Sequence, residues 1–234
     1  MNFFKKNKEY IERTSYSLTV ILSIVAMSLS AYLLYQFKSV DEKSADGLTK
    51  TTLLTETKVD KPSDQYNVYV SMLTSIVCIG VYSGLVLSRI FEKYFKKNNL
   101  DNLFIFFPIL AAAILASLSY VPEDDSGSEN IFAIASLVLI SFATGFVINK
   151  FQLIKENKKF TSSFLILLSS TFFGLSVYLY FVLIKDNDKT KFEYDAESND
   201  KLRRKLTQKE QDCYISSMSF SIFIVILTFF NLFI

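Results

Sequence analysis

Hydroxyl side chains are the chemically active groups that recur inside the apolar runs of this sequence. A serine nucleophile needs a neighbouring base to take its proton, and the chain contains no His. The apolar runs also contain no Asp or Glu, so no carboxylate can act as the base at the same depth. The hydroxyls therefore do not indicate nucleophilic catalysis, but they would line the pore if the protein is a channel or transporter. The candidate lining residues are Ser23, Ser30, Ser169, Ser170, Thr171, Ser217, Ser221 and Thr228.

The sequence also lacks the residues that are characteristic of several other kinds of active site. The absence of His removes the commonest general base and metal ligand. The two cysteines form no Cys-x-x-Cys pair, and the six glycines form no phosphate-binding loop. The acidic segment Glu123–Glu129 offers oxygen ligands but lacks the spacing of a calcium-binding loop, so we interpret it as a solvated turn. We expect no catalytic residue, no bound metal and no cofactor, although chemistry in the long loops stays open.

Six long apolar runs must position these side chains. Each run has about 19–24 residues, and a helix that rises 1.5 Å per residue needs roughly 20 residues to cross a bilayer core. In lipid the backbone polar groups must be satisfied within the segment, so each run should be an α-helix. The sequence predicts an all-α integral membrane protein, a single domain over residues 1–234 with six spans in three hairpins. The predicted spans are Tyr16–Phe37, Val68–Ser88, Leu103–Val121, Ile131–Asn149, Thr161–Ile184 and Tyr214–Ile234.

Small residues four positions apart predict where these helices meet. Gly, Ala and Ser let two helix backbones approach closely, and in lipid this packing drives association. The strongest pattern is in the second span, where Gly80, Gly84 and Ser88 lie on one helical face. The same spacing occurs in the next three spans, in the pairs Ala112 and Ala116, Ser141 and Gly145, and Ser170 and Gly174.

The charges of the short connections predict the orientation of the chain. Lys and Arg are concentrated in the N-terminal tail and in the connections that follow the second and fourth spans. In contrast, the connection Pro122–Asn130 carries only acidic charges. The positive-inside rule then places both termini in the cytoplasm. We favour a bacterial plasma membrane over the membrane of an organelle.

Basic residues beside aromatic residues at the cytoplasmic ends predict contact with anionic lipids or with a partner. Aromatic rings can lie at the headgroup level while ammonium groups meet the phosphates. The net charge of the whole chain is only +2, which gives no support for binding to nucleic acid. The candidate contact residues are Lys93, Lys96, Lys97, Lys155, Lys158 and Lys159.

The two long loops predict a small extracytoplasmic β element. Thr49–Val59 is rich in Thr and apolar residues, and Thr190–Asp195 alternates between aromatic or hydroxyl side chains and charged ones. Lone strands leave backbone groups unpaired. We therefore expect these two segments to lie side by side outside the membrane.

Three functions remain open on sequence grounds. The first is a non-enzymatic membrane subunit or sensor that forms a homo-oligomer, or assembles with a partner membrane protein, through its small-residue faces. The second is a channel or transporter with a pore lined by hydroxyl side chains. The third is a membrane enzyme with its site in an outer loop. The absence of ionisable groups in the spans favours the first, because ion-coupled carriers usually place such groups near mid-membrane.

Overall fold

Apolar helices make up nearly all of the protein where its structure is described. The computed structural model describes residues 7–38, 41–43, 49–51, 64–95, 98–119, 128–150, 158–185 and 208–233. Short π-helical segments, Phe91–Phe95 and Phe181–Lys185, continue the second and fifth helices. The helices are α1 (Lys8–Lys38), α2 (Asp64–Ile90), α3 (Asn98–Leu118), α4 (Ser128–Lys150), α5 (Lys158–Tyr180) and α6 (Gln208–Phe233).

The helices occur in the order of the six predicted apolar runs. In the described residues, five of them contain segments long and apolar enough to cross a membrane. The third helix, α3, contains a shorter apolar segment, Ile105–Leu118. The chain therefore has five to six helices suited to span a bilayer, which supports a multi-pass membrane protein. The third span was predicted to reach Val121, but α3 ends at Leu118.

Charged and polar residues mark several helix ends. The carbonyl of Asn7 accepts a hydrogen bond from the amide of Ile11 at 2.9 Å, which closes the first turn of α1. Arg89 lies in the last turn of α2, where its positive charge is favourable beside the partial negative charge of the helix C-terminus. In the third helix Pro108 provides no amide hydrogen, yet α3 continues through it to Leu118.

The second helix lies at the centre of the bundle. It packs against α1, α4 and α5, whereas α6 packs against α1 and α5. The third helix packs mainly against α4, at the edge. Among the membrane-crossing segments of the described chain, the one in α2 has the largest buried share. The α3–α4 hairpin is consequently joined to the rest of the bundle chiefly through the contact between α2 and α4.

A short hairpin occupies the described part of the first long loop. Strands β1 (Asp41–Lys43) and β2 (Thr49–Thr51) pair antiparallel, with Glu42 opposite Lys50. The second strand covers only the start of the predicted β segment Thr49–Val59, and its partner belongs to the same loop. Thr190–Asp195 lies outside the described residues, so the pairing of the two long loops stays a prediction.

Candidate functional site

The first and last helices meet through polar side chains along most of their length. The buried residues of α6 recur every three or four positions, which places them on one helical face. All of them except Ile224 carry a polar group. Buried hydroxyls on α1 follow the same spacing, and the two helices are in contact. We call these residues, together with the half-buried Asn231 of α6, the polar seam: Ser15, Thr19, Ser23 and Ser30 of α1, with Glu210, Tyr214, Ser217, Ser221 and Thr228 of α6.

One end of the polar seam is a closed set of hydrogen bonds. The hydroxyl of Ser15 donates to Oδ1 of Asn231 at 2.6 Å, and Nδ2 of Asn231 donates to Oγ1 of Thr19 at 3.1 Å. The hydroxyl of Thr19 in turn donates to the carbonyl of Ser15 at 2.8 Å. In lipid, a polar group without a hydrogen-bond partner is unfavourable in free energy. This set pairs the oxygen and one N–H of the Asn231 amide and joins the start of α1 to the end of α6.

The central helix reaches the seam through a tyrosine. The hydroxyls of Tyr82 and Thr228 are 2.6 Å apart, and the Thr228 hydroxyl donates its hydrogen to the carbonyl of Ile224 at 2.7 Å. A hydroxyl has only one hydrogen to donate. Tyr82 is therefore the donor and Thr228 the acceptor. This bond links α2 to α6 inside the bundle.

Farther along the seam, four helices surround a small cavity. Its volume is about 10 Å³, at the lower bound of the roughly 10–15 Å³ that one water needs. Each of the helices α1, α2, α5 and α6 contributes one serine, and the remaining lining is apolar apart from a tyrosine. We call this space the serine cavity. Its lining residues are Ser30, Leu33, Met72, Ser75, Ser176, Leu179, Tyr214 and Ser217.

Charged side chains hold α1 to the far end of α2. Lys93 donates a hydrogen bond to Glu12 and forms an ion pair with it. The guanidinium of Arg13 lies 5.4 Å from the ring centre of Tyr94, within the range of a cation–π contact. Arg89, one turn before Lys93, is partly buried. These residues belong to the basic end that the sequence predicts to be cytoplasmic.

Only one of the six lysines predicted to contact lipid has a described side chain. Lys93 is exposed but is paired with Glu12 of α1. Lys158 and Lys159 are the first residues of α5. Lys96, Lys97 and Lys155 lie outside the described residues.

The predicted small-residue face of α2 lies against α4. A Cβ atom added at Gly80 would come within 2.7 Å of the Cβ of Ser141. At Gly84 it would collide with the carbonyl oxygen of Phe142 and lie 3.2 Å from the Cα of Gly145. A Cβ added at Gly145 would in turn lie 2.6 Å from the amide nitrogen of Leu85. The structure thus brings two of the predicted pairs together in one backbone-to-backbone contact.

Other predicted packing residues lie at polar contacts between helices. Ser88 is buried and its hydroxyl accepts a hydrogen bond from Nδ2 of Asn149 at 2.9 Å, which extends the α2–α4 contact. The carbonyl of Ala112, a fully buried residue of α3, accepts a hydrogen bond from Ser136 of α4 at 3.0 Å. Ala116, one turn farther along α3, is partly buried.

The remaining predicted pair lies on the outside of the bundle. Ser170 and Gly174 of α5 are both exposed. A Cβ atom added at Gly174 would meet no atom within 4 Å. The small-residue spacing of α5 therefore leaves an open notch at its surface, whereas the same spacing in α2 is filled by α4.

Many of the buried hydroxyls are engaged in hydrogen bonds within the bundle. Several buried hydroxyls donate to carbonyls of their own helices, as Ser23 does to Val20 at 2.9 Å and Ser221 does to Met218 at 2.6 Å. Among the described residues, no group of three or more His, Cys, Asp and Glu side chains is placed to hold a metal ion.

Sequence reasoning identified part of this site and missed part of it. Of the candidate lining residues, Ser23, Ser30, Ser169, Ser217, Ser221 and Thr228 are buried. Ser170 is exposed and Thr171 partly buried. Ser75, Ser176, Tyr82, Asn149 and Asn231 were not singled out. For Asn231 a signal existed, because it continues the three-or-four spacing of the polar residues of α6.

Comparison of the chain with protein-family models, with curated proteins and with solved structures found no match. No function can be transferred from a relative. The geometry of the described residues must carry any functional conclusion.

Proposed function

We propose that this chain is a non-enzymatic, multi-pass membrane protein that acts as a subunit of a homo-oligomer. The notch at Gly174 on the exposed face of α5 is the observation that carries the proposal. The spacing Ser170-x-x-x-Gly174 is of the kind that brings helices together in lipid. Elsewhere in the described bundle, at Gly84 and Gly145, this spacing is already occupied by a neighbouring helix.

A second copy of the chain is the occupant that fits the notch. On the exposed face of α5 and its π-helical continuation, large side chains lie on both sides of the small pair: Leu167 before it, and Tyr178 and Phe181 after it. When two such faces cross at the small residues about a twofold axis, the ridges of each copy pass beside those of the other. The interface is then self-complementary. A partner membrane protein of different sequence is the alternative occupant.

Replacing Gly174 with Leu is expected to dissociate the oligomer without unfolding the subunit. The added side chain enters open space in the subunit but fills the notch that the second copy needs. We expect dimer affinity in mild detergent to fall by about tenfold or more, which corresponds to ~1.4 kcal/mol. Light scattering coupled to size-exclusion chromatography measures the change.

The matched control for this substitution is Ser28→Leu. Ser28 is exposed on α1, and its hydroxyl bonds only to the carbonyl of Ile24 in its own helix. The control adds a side chain of the same size to a different surface, so the oligomer should persist. A wild-type protein that stays monomeric at every concentration, or a Gly174→Leu variant with unchanged assembly size, contradicts the proposal.

We further propose that both termini are cytoplasmic and that the basic helix ends meet anionic lipid there. The asymmetry between the basic connections and the acidic segment Pro122–Asn130 supports this orientation. The bacterial plasma membrane is the membrane we favour. Lys93, with Lys96 and Lys97 after it, would then lie at the level of the lipid phosphates.

Cysteine labelling tests the orientation. In a background in which the free cysteines Cys78 and Cys213 are replaced by Ala, Ser126→Cys should react with a membrane-impermeant maleimide on intact cells. Asn98→Cys should react only after permeabilisation. The opposite pattern would invert the topology.

The polar seam favours a second function, a channel or transporter for small polar solutes. Buried hydroxyls follow one another from the hydrogen-bonded set at Asn231, past Thr228 and Ser221, to the serine cavity. Hydroxyl linings can conduct without ionisable groups. Proteoliposomes test this function by their conductance and their rate of osmotic shrinkage. If both equal those of empty vesicles, the seam is a packing surface and no passage.

A further inference from the structure

The serine cavity differs from the rest of the polar seam in having an unused hydroxyl. Several buried serines of the described bundle donate to backbone carbonyls of their own helices, as Ser30 does to Ala26 at 2.9 Å and Ser83 does to Ile79 at 2.6 Å. Ser75 also lies within a helix and could make the same bond. Its Oγ has instead no hydrogen-bond partner among the described residues, although only 2% of Ser75 is exposed. Ser75 lines the cavity.

An unsatisfied hydroxyl inside the bundle is unfavourable. The Oγ of Ser75 has almost no exposed surface, so bulk water does not bond to it directly. Leaving a buried donor without a partner lowers the stability of the folded protein. A ligand that hydrogen-bonds to Ser75 would remove this cost.

We propose that the serine cavity holds one ordered water molecule, bonded to Ser75 and bridging α2 to α1. The volume of about 10 Å³ admits one water and little more. Because the Ser30 hydroxyl donates its hydrogen to Ala26, its oxygen is left to accept from the water. Ser176 and Ser217 line the same space and supply further partners, which satisfies the two to four bonds that a buried water makes.

Water fits this site better than a monovalent cation does. Hydroxyl oxygens can coordinate either, but no charged side chain lines the cavity. A cation would lose its hydration without a counter-charge, which is unfavourable in the interior of a bundle. The proposal depends neither on oligomerisation nor on conduction, so failure of either leaves it intact.

X-ray radiolytic footprinting detects such a water directly. Hydroxyl radicals made from a bound water oxidise the nearest methionine even where bulk solvent is excluded. Met72 lines the cavity and is 2% exposed, while Met27 is 8% exposed and is not among the lining residues. We expect Met72 in the wild-type protein to be oxidised several-fold faster than Met27. Equal rates, or a slower rate at Met72, would show the cavity to be dry and overturn the proposal.

The melting temperature of the Ser75→Ala variant is an independent test, because a bound water and a dry cavity predict changes in opposite directions. If water bridges Ser75, removing its hydroxyl takes a partner from the water, and the melting temperature should fall by several degrees. If the cavity is dry, the same change removes an unsatisfied group and the melting temperature should rise. The control Ser83→Ala removes a hydroxyl that bonds only to its own helix, and its effect should be smaller. Stabilisation by sodium over choline that disappears in Ser75→Ala would assign the site to a cation instead.

Discussion

Replacing Gly84 with Leu is expected to abolish the native fold. A single Cβ at this position already collides with the carbonyl oxygen of Phe142, which is backbone and cannot move aside as a flexible side chain would. The remainder of a leucine would force α2 and α4 apart. Because α3 packs mainly on α4, the separation would detach the α3–α4 hairpin from the bundle. We expect a loss of at least about 3 kcal/mol, the upper part of the range for overpacked sites.

Size-exclusion chromatography of a fluorescent fusion, with melting curves of the peak, measures this loss. The expected result is aggregation or a strongly reduced yield for Gly84→Leu. Gly84→Ala should have an intermediate effect, because its Cβ alone requires the helices to shift. The control Ser28→Leu places a leucine at an exposed position of α1 whose hydroxyl bonds only within its own helix, and it should keep the wild-type melting temperature. A normal yield and peak position for Gly84→Leu would show that α2 and α4 are not in close contact.

The helices were predictable because their signal is local. An uninterrupted apolar run of about 20 residues predicts a helix by itself, because a backbone surrounded by lipid must form its hydrogen bonds within the segment. The pairing of helices is harder to predict, because it depends on contacts between residues that are far apart in the sequence. Gly80-x-x-x-Gly84 and Ser170-x-x-x-Gly174 have the same spacing, yet the first is buried against α4 and the second is exposed. The pattern predicts a helix face that can pack closely, but it does not indicate which helix packs against that face.

The same limit explains which parts of the polar site were found. Ser217, Ser221 and Thr228 repeat along one face of α6, so the sequence singles them out as lining candidates. Ser75 and Ser176 can be recognised as site residues only in the folded bundle, where four helices bring them to one cavity. Their spacing in the sequence does not show that they meet. Lys93 shows the converse. The sequence singled it out for contact with lipid, which stays a prediction, but it did not indicate the ion pair that Lys93 forms with Glu12 on a different helix.

Replacing Tyr82 with Ala is expected to have the second-largest effect on stability. The side chain of Tyr82 is 1% exposed and packs within the main hydrophobic cluster of α1, α2, α5 and α6. Its removal leaves a cavity that the surrounding helices can fill only in part, and it leaves Thr228 without its donor. The loss should be on the order of 3 kcal/mol, as for other large aromatic residues replaced by Ala in close-packed cores. Thermal melting in detergent measures it, and a change below about 1 kcal/mol would contradict the packing described here.

A double-mutant cycle separates the packing of Tyr82 from its hydrogen bond. Tyr82→Phe removes only the donor, while Thr228→Val removes the acceptor and keeps the shape of the side chain. Each single change should cost about 0.5–1.5 kcal/mol, and the double variant should cost less than their sum by a coupling near 0.6 kcal/mol, the average for hydrogen bonds between membrane helices. Because Thr228→Val also removes the hydrogen bond to the carbonyl of Ile224, only the coupling reports the bond between Tyr82 and Thr228. Additive losses would mean that Tyr82 and Thr228 do not bond, and that α2 is held to the polar seam by packing alone.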